Sequence, residues 1–243
     1  MSAYVSLAPY YDILTRDVPY EKLADVYAGI LARYGVKPGL TLDLACGTGS
    51  LTCILAGRGY EIIGADASAE MLAVAEEKAR TRSFPAAPVF ICQPMQELDL
   101  YGTVAAAVCS LDGLDYVPPE ALDAVFERLR LFVEPGGVLA FDVLTPEELA
   151  GRDGAVCVDE AEGVFCVWRS EFLEGACTYG IDLFVGGDGG AWRRCSEEHT
   201  EYAHARGTLE SALHRHGFGE ISAFPGDTAL FGGGRIFMAA RRL

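Results

Sequence analysis

Two glycines, Gly47 and Gly49, stand between an apolar strand-like run and the start of an apolar helix. The run also carries an acid, Asp43, close to its end. Glycine lets a backbone approach a ligand closely, and the free N–H groups of a helix's first turn point at such a ligand. The stretch Thr41–Thr52 therefore predicts a ligand-binding turn, with an ordinary strand–turn–helix corner as the alternative.

A second acid, Asp66, directly follows the next predicted strand, Tyr60–Ala65. An acid at that place can accept both hydroxyl groups of a ribose, so the two stretches together predict a nucleoside cofactor. Asp66 could instead cap a helix or lie in solvent. Dinucleotide-binding turns carry a third glycine where this chain has Thr52, and the chain lacks a Tyr-x-x-x-Lys pair. Both features disfavour an NAD(P)-dependent reductase.

The composition limits the class of partner. Acidic residues outnumber basic ones by 35 to 19 in the 243 residues, which gives a formal net charge of -16. Nucleic-acid binding depends on neutralising phosphates, so this balance disfavours a polynucleotide substrate and suits a cationic ligand. With 51% hydrophobic residues the chain can bury one large core, which predicts a single domain with an insertion.

The cysteines are scattered rather than paired, and several lie within apolar runs, where a free thiol behaves as a small hydrophobic group. No spacing typical of zinc ligands occurs, so no metal site is predicted. The N-terminal residues lack the basic start of a signal peptide, and no apolar run approaches membrane-spanning length. These features predict a cytoplasmic protein in a reducing compartment, without membrane contact.

Strand-like and helix-like segments alternate through the first part of the chain, which predicts a doubly wound α/β fold with a mostly parallel sheet. The helix predicted over Pro19–Tyr34 belongs to an N-terminal helical cap at residues 1–36. From about residue 155 to 203 the pattern changes to strands without helices, with a glycine-rich hairpin turn at Gly186–Gly190. We therefore expect one domain, residues 1–243, in which an antiparallel β insertion precedes the last helix and strands.

The run Asp43-Leu44-Ala45-Cys46-Gly47-Thr48-Gly49 resembles the first motif of the class I S-adenosylmethionine (SAM) methyltransferases. Further stretches are similar to a group of bacterial methyltransferases with unassigned substrates: Tyr10-Tyr11-Asp12, the loop Cys109–Tyr116, Phe141-Asp142-Val143 and Arg235-Ile236-Phe237. The resemblance spans nearly the whole chain. It implies a Rossmann-like methyltransferase sheet and SAM as the methyl donor, with S-adenosylhomocysteine (SAH) as the product.

The resemblance also implies which residues contact SAM. They are Tyr11, Asp43, Ala45, Cys46, Gly47, Gly49, Asp66, Ala67, Met71, Gln93, Pro94, Met95, Cys109 and Asp112. The chain departs from the family at Pro94, where an acid often takes the adenine amino group. Adenine recognition would then pass to Gln93 or to backbone groups, and Met95 would either pack on the ring or fill the core.

Methyl transfer is an in-line displacement, which needs orientation in a dry site more than it needs an enzyme nucleophile or a metal. On the acceptor side, Tyr11 could close over the methionine part of SAM, and His199 could act as a general base. A purely structural role is the alternative for both residues. Asp112 and Asp142 end central strands and are expected at the rim of the pocket.

The sequence thus predicts a SAM-dependent methyltransferase that acts on an unidentified small molecule. A methyltransferase acting on RNA or protein and a SAM-binding module without catalysis remain the alternatives. The predicted insertion strand Ala191–Tyr202 has polar residues on both faces, with Arg194 and Glu198 on one and Arg193 and His199 on the other. Either face could cover the acceptor.

Overall fold

The computed structural model of the chain describes residues 4–161, 163–231 and 233–243. Within these ranges the strands are β1 (Leu40–Leu44), β2 (Glu61–Asp66), β3 (Val89–Cys92), β4 (Val104–Cys109), β5 (Val133–Leu144), β6 (Val156–Ala161), β7 (Val164–Leu173), β8 (Ala176–Gly186), β9 (Trp192–Tyr202), β10 (Phe218–Pro225) and β11 (Arg235–Arg242). The helices are α1 (Tyr11–Leu14), α2 (Tyr20–Arg33), α3 (Ser50–Gly57), α4 (Ala69–Arg80), α5 (Leu122–Phe132), α6 (Pro146–Gly151), α7 (Arg206–Arg215) and α8 (Thr228–Phe231).

A central sheet has the strand order β10-β11-β5-β4-β1-β2-β3. Strands β1 to β5 pair in parallel, whereas β11 pairs antiparallel to β5 and β10 antiparallel to β11. The middle strand β4 is small and apolar because both of its faces are covered. The doubly wound, mostly parallel sheet predicted from the alternating pattern is therefore confirmed.

Apolar helix faces cover the central sheet on both sides. Helix α2 buries Leu23, Tyr27 and Leu31, residues spaced by one helical turn, together with α3 on one side. Helices α5 and α7 bury Phe126 and Leu213, among others, on the other side. Among the described residues, no helix combines the length and the apolar character needed to cross a membrane.

The antiparallel insertion is confirmed as a separate sheet of order β6-β7-β8-β9, which we call the lid sheet. Strands β7, β8 and β9 follow the prediction closely, but α6 and the edge strand β6 were not predicted. Strand β6 carries two acids, and its Val156 and Val158 are 65% and 54% exposed, so it buries little of its apolar surface. The sequence predicts a turn at Glu134–Gly137 and a strand over Val138–Val143, but β5 begins earlier, since residues 134–137 belong to the strand.

Residues 4–19, here called the N-terminal segment, lie between the two sheets. Leu7 is 1% exposed and packs with Cys166, Ile181 and Leu183 of the lid sheet. The other side of the segment faces the glycine turn before α3, as described below. The segment therefore bridges the lid sheet and the central sheet.

Candidate functional site

A cavity of about 980 Å³, counted out to its open mouth, lies at the carboxyl ends of β1, β2 and β4. We call it the main cavity. The structure brings many of the predicted cofactor residues together in its wall: Tyr11, Ala45, Cys46, Gly47, Asp66, Ala67, Met71, Gln93 and Met95. Ligands of open α/β sheets bind at this edge of the sheet, so the cavity lies where the sequence predicts a site.

The glycine turn has a left-handed backbone at both glycines, with φ of 53° at Gly47 and 69° at Gly49. No described residue places an atom within 4 Å of a Cβ added at Gly47, so this backbone is bare toward the main cavity. A Cβ at Gly49 would lie 2.9 Å from Cβ of Ala75 and 3.2 Å from the ring of Phe90. Gly49 therefore allows α3 to start against α4. It is not among the residues that line the main cavity, and its predicted contact with the cofactor stays a prediction.

Asp66 accepts a hydrogen bond on each of its carboxylate oxygens. The N–H of Gly47 donates to one oxygen and the N–H of Ser68 to the other, both at 2.8 Å. Each oxygen retains acceptor capacity for a ligand hydroxyl. Burial raises the pKa of Asp66, and the hydrogen bonds from Ser68 and Gly47 oppose that rise. The carboxylate is thus placed in the cavity wall to accept two neighbouring hydroxyl groups.

Asp43, near the carboxyl end of β1, is not among the residues in the wall of the main cavity, and its predicted contact with the cofactor stays a prediction. It is 0% exposed, and its Oδ2 accepts the hydroxyl of Thr52 at 2.5 Å. Within the described ranges nothing hydrogen-bonds to Oδ1. Burial raises the pKa of Asp43 to about 7. A cation placed above it would lower that pKa, so the orphaned oxygen fits a cationic ligand.

The loop after β3 contributes Gln93 and Met95 to the wall, whereas Pro94 between them does not reach it. The predicted contact of Pro94 with the cofactor stays a prediction. The side-chain oxygen of Gln93 accepts the N–H of Asp99 at 2.9 Å, so its NH2 group faces other partners. Met71 from α4 is in the same wall, and two thioether side chains provide a polarisable surface for an aromatic ring.

Tyrosines from three parts of the chain roof the main cavity. Tyr4 and Tyr11 come from the N-terminal segment, Tyr20 from α2, and Tyr116 from the turn after β4. The hydroxyl groups of Tyr4 and Tyr116 lie 2.6 Å apart, and the rings of Tyr4 and Tyr11 meet edge to face at 5.8 Å. Such a roof excludes water and presents aromatic surface that attracts cations. Of these residues only Tyr11 was predicted.

One carboxylate, that of Glu197 on β9, ties the N-terminal segment to the lid sheet. It accepts the N–H of Tyr4 at 2.9 Å and that of Leu7 at 3.1 Å, together with the N–H of Ser6. Nε2 of His199 lies 3.0 Å from the same carboxylate, and its ring lies 4.2 Å from that of Tyr4. His199 is 3% exposed and stands behind Tyr4, outside the wall of the main cavity. The face of β9 that carries His199 is therefore the inner one.

The other side of the N-terminal segment is fixed to the glycine turn through Asp12. The hydroxyl of Thr48 donates to Asp12 at 2.6 Å, and Nζ of Lys78 lies 2.7 Å from the same carboxylate. Lys78 also donates to the hydroxyl of Ser50 at 2.7 Å. The segment is thus held to the lid sheet by Glu197 and to the turn by Asp12.

The loop after β4 has two consecutive left-handed residues, Leu111 (φ 53°) and Asp112 (φ 61°). This conformation is rare for residues other than glycine, and it persists only where the surrounding structure holds it in place. The N–H groups of both residues donate to Asp142, at 3.0 and 3.2 Å. Asp142 is 0% exposed and also accepts the hydroxyl of Tyr27. Asp142 therefore holds the loop from below, and its predicted place at the cavity rim is wrong.

Arg235 at the start of β11 contacts the carboxylates of both Asp112 and Asp142. Burial raises the pKa of Asp142, and the positive charge of Arg235 opposes that rise. Neither Asp112 nor Cys109 lines the main cavity, since Asp112 is engaged by Arg235 and Cys109 is 1% exposed. The predicted contacts of Asp112 and Cys109 with the cofactor stay predictions.

A further buried acid, Glu201, lies on the inner face of β9 and was not predicted. Its carboxylate accepts the hydroxyl of Tyr179 at 2.7 Å and lies 3.8 Å from Nη1 of Arg152. Burial, and after it the charge of Asp112, raise the pKa of Glu201 to about 7. The alternation of β9 puts Glu201 on the face of His199, but the sequence does not say which face turns inward.

The main cavity combines three features that fit SAM. The Asp66 carboxylate can accept the ribose hydroxyls, and a tyrosine roof suits a sulfonium. In addition, a buried oxygen of Asp43, near the glycine turn, has no hydrogen-bond partner among the described residues. The described residues contain no group of three or more His, Cys, Asp or Glu side chains placed to hold a metal ion. The chemistry that this arrangement supports is binding and orientation of a charged nucleoside.

Comparison with known proteins agrees with this geometry. Residues 41–137 match the family described as "Methyltransferase domain". The chain is 28% identical to a protein of Geobacillus sp. (strain WCH70), over 98% of this chain and 99% of the relative. It is 30% identical to YqeM of Bacillus subtilis (strain 168), over 88% of this chain and 86% of the relative. Both relatives bear the name "Putative methyltransferase".

Solved structures show the same fold over the full length. A crystal structure of a SAM-dependent methyltransferase from Clostridium acetobutylicum ATCC 824 is 26% identical, with a TM-score of 0.84 and 99% of both chains covered. The sugar N-methyltransferase KedS8 from Streptoalloteichus sp. shares the fold at 22% identity, with a TM-score of 0.80 and coverage of 96% and 92%. The motifs, the sheet and the full-length similarity together show that this chain belongs to the SAM-dependent methyltransferases and uses SAM as its methyl donor.

Proposed function

We propose that this enzyme methylates a small molecule. The observation that carries the proposal is the tyrosine roof, which is clamped at both ends and covers part of the main cavity. A site narrowed in this way suits an acceptor that enters whole better than a polymer that must thread through. The net charge of -16 also opposes binding of a polynucleotide. KedS8, which shares the fold, is named as a sugar N-methyltransferase.

We assign the cofactor contacts from the wall of the main cavity. Asp66 would accept the ribose hydroxyls on the free lone pairs of its two oxygens. The bare backbone at Gly47 would lie against the methionine part, with the charge of Asp43 beneath its ammonium group. Met71, Met95 and the NH2 group of Gln93 would surround the adenine.

SAM supplies a methyl group made electrophilic by its sulfonium. A lone pair of the acceptor forms the new bond to the methyl carbon while the carbon–sulfur bond breaks and its electron pair returns to sulfur. A proton on the attacking atom leaves to solvent or to a basic group. The enzyme's part is to hold the reactants in line without water between them, which can supply ~7–11 kcal/mol of the barrier.

Tyr11 would contribute through its face and its position in the roof, as the sequence predicts. His199 contacts the roof residue Tyr4 and has its Nε2 engaged by Glu197. Burial lowers its pKa, so the ring is neutral and stiffens the roof from behind. We therefore propose His199 as a positioning residue and not as a general base in contact with the acceptor.

The experiment that tests this function follows the methyl group. The purified enzyme is incubated with SAM labelled in its methyl group and, separately, with the low-molecular-weight, RNA and protein fractions of a bacterial extract. We expect an enzyme-dependent labelled product, separated from SAM by chromatography, only in the low-molecular-weight fraction. Asp66→Ala should abolish that transfer, whereas Asp25→Ala on α2, whose side chain is 56% exposed, should retain it.

Label in RNA or protein would overturn the small-molecule proposal and restore the alternatives. Binding of SAM with no transfer to any fraction would instead support a SAM-binding module without catalysis. The three outcomes are distinguished in one experiment because the donor is the same in every incubation.

A further inference from the structure

The tyrosine roof covers the same cavity in which the proposed SAM contacts lie. Its members are half-buried, so each keeps accessible surface: Tyr4, Tyr11, Tyr20 and Tyr116. A molecule beneath the roof shares the main cavity with SAM and can approach its methyl group directly. We propose that the roof holds the methyl acceptor and that the methylated atom is the nitrogen of an amine. This inference rests on the proposed function and specifies its acceptor.

The hydroxyl groups of Tyr4 and Tyr116 form a pair that suits the N–H groups of an amine. Their oxygens lie 2.6 Å apart, and the hydroxyl of Tyr4 donates to that of Tyr116. Each hydroxyl has one O–H donor and two lone pairs, so the pair retains three lone pairs but only one O–H for other partners. The surrounding rings also attract the ammonium form of an amine. The pair thus accepts hydrogen bonds more readily than it donates them.

Negative charge surrounds the roof. Burial raises the pKa of the phenols of Tyr4, Tyr11 and Tyr116. The charge of Glu201 raises the pKa of Tyr4 and Tyr116 further, and the charge of Asp112 does so at Tyr11. Asp112 shares a single guanidinium with a second carboxylate, so that group keeps an excess of negative charge. These surroundings disfavour an anionic group beneath the roof.

The charge state of the attacking atom decides between the classes of acceptor. A phenol, thiol or carboxylic acid attacks best as its anion, whereas an amine attacks as a neutral molecule through its lone pair. An alkylammonium with a pKa of about 10.4 is neutral in roughly one molecule in 2,500 at pH 7. An alcohol, with a pKa near the ~15.7 of water, is ionised in roughly one molecule in 10⁸ or fewer. The amine therefore needs no anion and no strong base at the roof.

The transfer to nitrogen balances in atoms and charge. The ammonium acceptor first gives one proton to water, which leaves a lone pair on nitrogen. That pair forms the bond to the methyl carbon while the carbon–sulfur bond breaks and its electrons return to sulfur. The positive charge passes from the sulfonium to the methylated nitrogen, and SAH leaves with a neutral thioether.

The test identifies the methylated atom directly. The enzyme is incubated with SAM carrying a carbon-13 methyl group and with the low-molecular-weight fraction of a bacterial extract, and NMR reads the methyl signal of the purified product. We expect the chemical shifts of an N-methyl group. A second portion of the extract is first acetylated with a succinimidyl ester, which blocks primary and secondary amines, and it should lose the labelled product. Extract treated with the same reagent after its hydrolysis is the control and should retain the product.

Tyr116→Phe tests the hydroxyl pair, because it keeps the ring and removes one hydroxyl. With dilute extract the initial rate should fall by roughly tenfold. The dissociation constant of SAH, measured by calorimetry, should stay within about twofold, which also shows that the variant is folded. Tyr101→Phe is the matched control, since Tyr101 is fully exposed and lies outside the wall of the main cavity. It should keep the wild-type rate.

An O-methyl or S-methyl signal, or a product that survives acetylation, would overturn the inference. A wild-type rate in Tyr116→Phe would overturn it too, and so would a loss of SAH affinity, since the hydroxyl would then serve the cofactor. If the untreated extract gave no labelled product at all, the proposed function itself would be contradicted. The two failures are therefore distinguishable.

Discussion

The central sheet and the lid sheet each hold a nearly unexposed aspartate that contacts arginine, and the two carboxyls respond in opposite ways. Asp142, in the central sheet, is 0% exposed, and burial raises its pKa despite Arg235. Asp182, on the outer face of the lid sheet, accepts hydrogen bonds from Ser196, Arg169 and Arg194, and these lower its pKa.

The depth of the carboxyl group in the protein, and not the presence of an arginine partner, decides whether its pKa rises or falls. The arginines that cover Asp182 are themselves 53% and 60% exposed, so the group loses little hydration. Asp142 is covered by the protein interior, where the loss of hydration outweighs the opposing effects of Arg235 and Tyr27 on its pKa. A deep acid holds a loop in a strained shape, whereas a shallow one links neighbouring strands at the surface.

The largest effect that we expect is on the free energy of unfolding, when Asp142 and Asp182 are replaced in turn. Asp142→Asn removes a buried charge and leaves Arg235 with one of its two carboxylates, so the free energy of unfolding should fall by about 3–5 kcal/mol. Asp182→Asn removes a carboxylate from exposed arginines and should cost about 1 kcal/mol or less. Urea denaturation of the two variants and the wild type measures both. Equal losses would mean that depth does not separate the two sites.

The next largest effect that we expect is on SAM binding, through Asp66 in the wall of the main cavity. Asp66→Ala removes the acceptor for both ribose hydroxyls, so the dissociation constant of SAM should rise by roughly 100-fold. Calorimetric titration with SAM measures the change. Asp25→Ala, an exposed acid on α2, should bind SAM like the wild type. An unchanged affinity in Asp66→Ala would remove Asp66 from the cofactor site.

Glu201 belongs to the lid sheet, as Asp182 does, yet it is deeply buried, as Asp142 is. Its pKa of about 7 in the folded enzyme exceeds the ordinary value of 4.5, so the folded state binds more protons and stability falls as pH rises from about 4.5 to 7. Glu201→Gln removes this loss and should gain about 2 kcal/mol relative to the wild type between pH 5 and pH 8.

Urea denaturation at the two pH values measures that gain. Asp43, whose pKa is also raised to about 7, keeps its own contribution in both proteins and does not affect the difference. Glu198→Gln, on the exposed face of the same strand, should follow the wild type at both pH values. If the stability of Glu201→Gln also matched that of the wild type at both pH values, the position of Glu201 in the lid sheet, and not its burial, would determine how this acid responds to pH.

The smallest expected effect concerns the roof. Glu197→Ala frees the backbone of Tyr4, Ser6 and Leu7, so the roof should open more often and SAH should dissociate roughly tenfold faster. Stopped-flow displacement measures this rate. Glu198→Ala, on the opposite face of β9, is the control and should release SAH at the wild-type rate. A wild-type rate in Glu197→Ala would show that this tie does not limit release.

The fold could be predicted largely from local patterns. The turn of Gly47, the acid Asp66 and the helix cap at Ser68 lie within a short stretch of chain, so residue type and spacing are enough to find them. The strand and helix periods gave the parallel sheet and the insertion. The edge strand β6 was not predicted, because an exposed strand buries too little apolar surface to leave an alternating pattern of buried and exposed residues.

The site was harder to predict where its parts meet from distant positions. Tyr4 and Glu197 are separated by 193 positions, and Asp142 and Arg235 by 93. Neither pair has a spacing that a sequence pattern could reveal. Asp142 lies within β5 and Asp112 in the loop after β4, and no sequence pattern shows that Arg235 contacts both of them.

The N-terminal segment places Tyr4 and Tyr11 in the wall of the main cavity, and Glu197 and Asp12 hold it there from two sides. Its position therefore completes the wall of the proposed cofactor site. An acceptor that rests against this segment and against the bound cofactor needs both of them in place. We expect a compulsory order, with SAM first to bind and SAH last to leave, so that SAH inhibits competitively against SAM and noncompetitively against the acceptor.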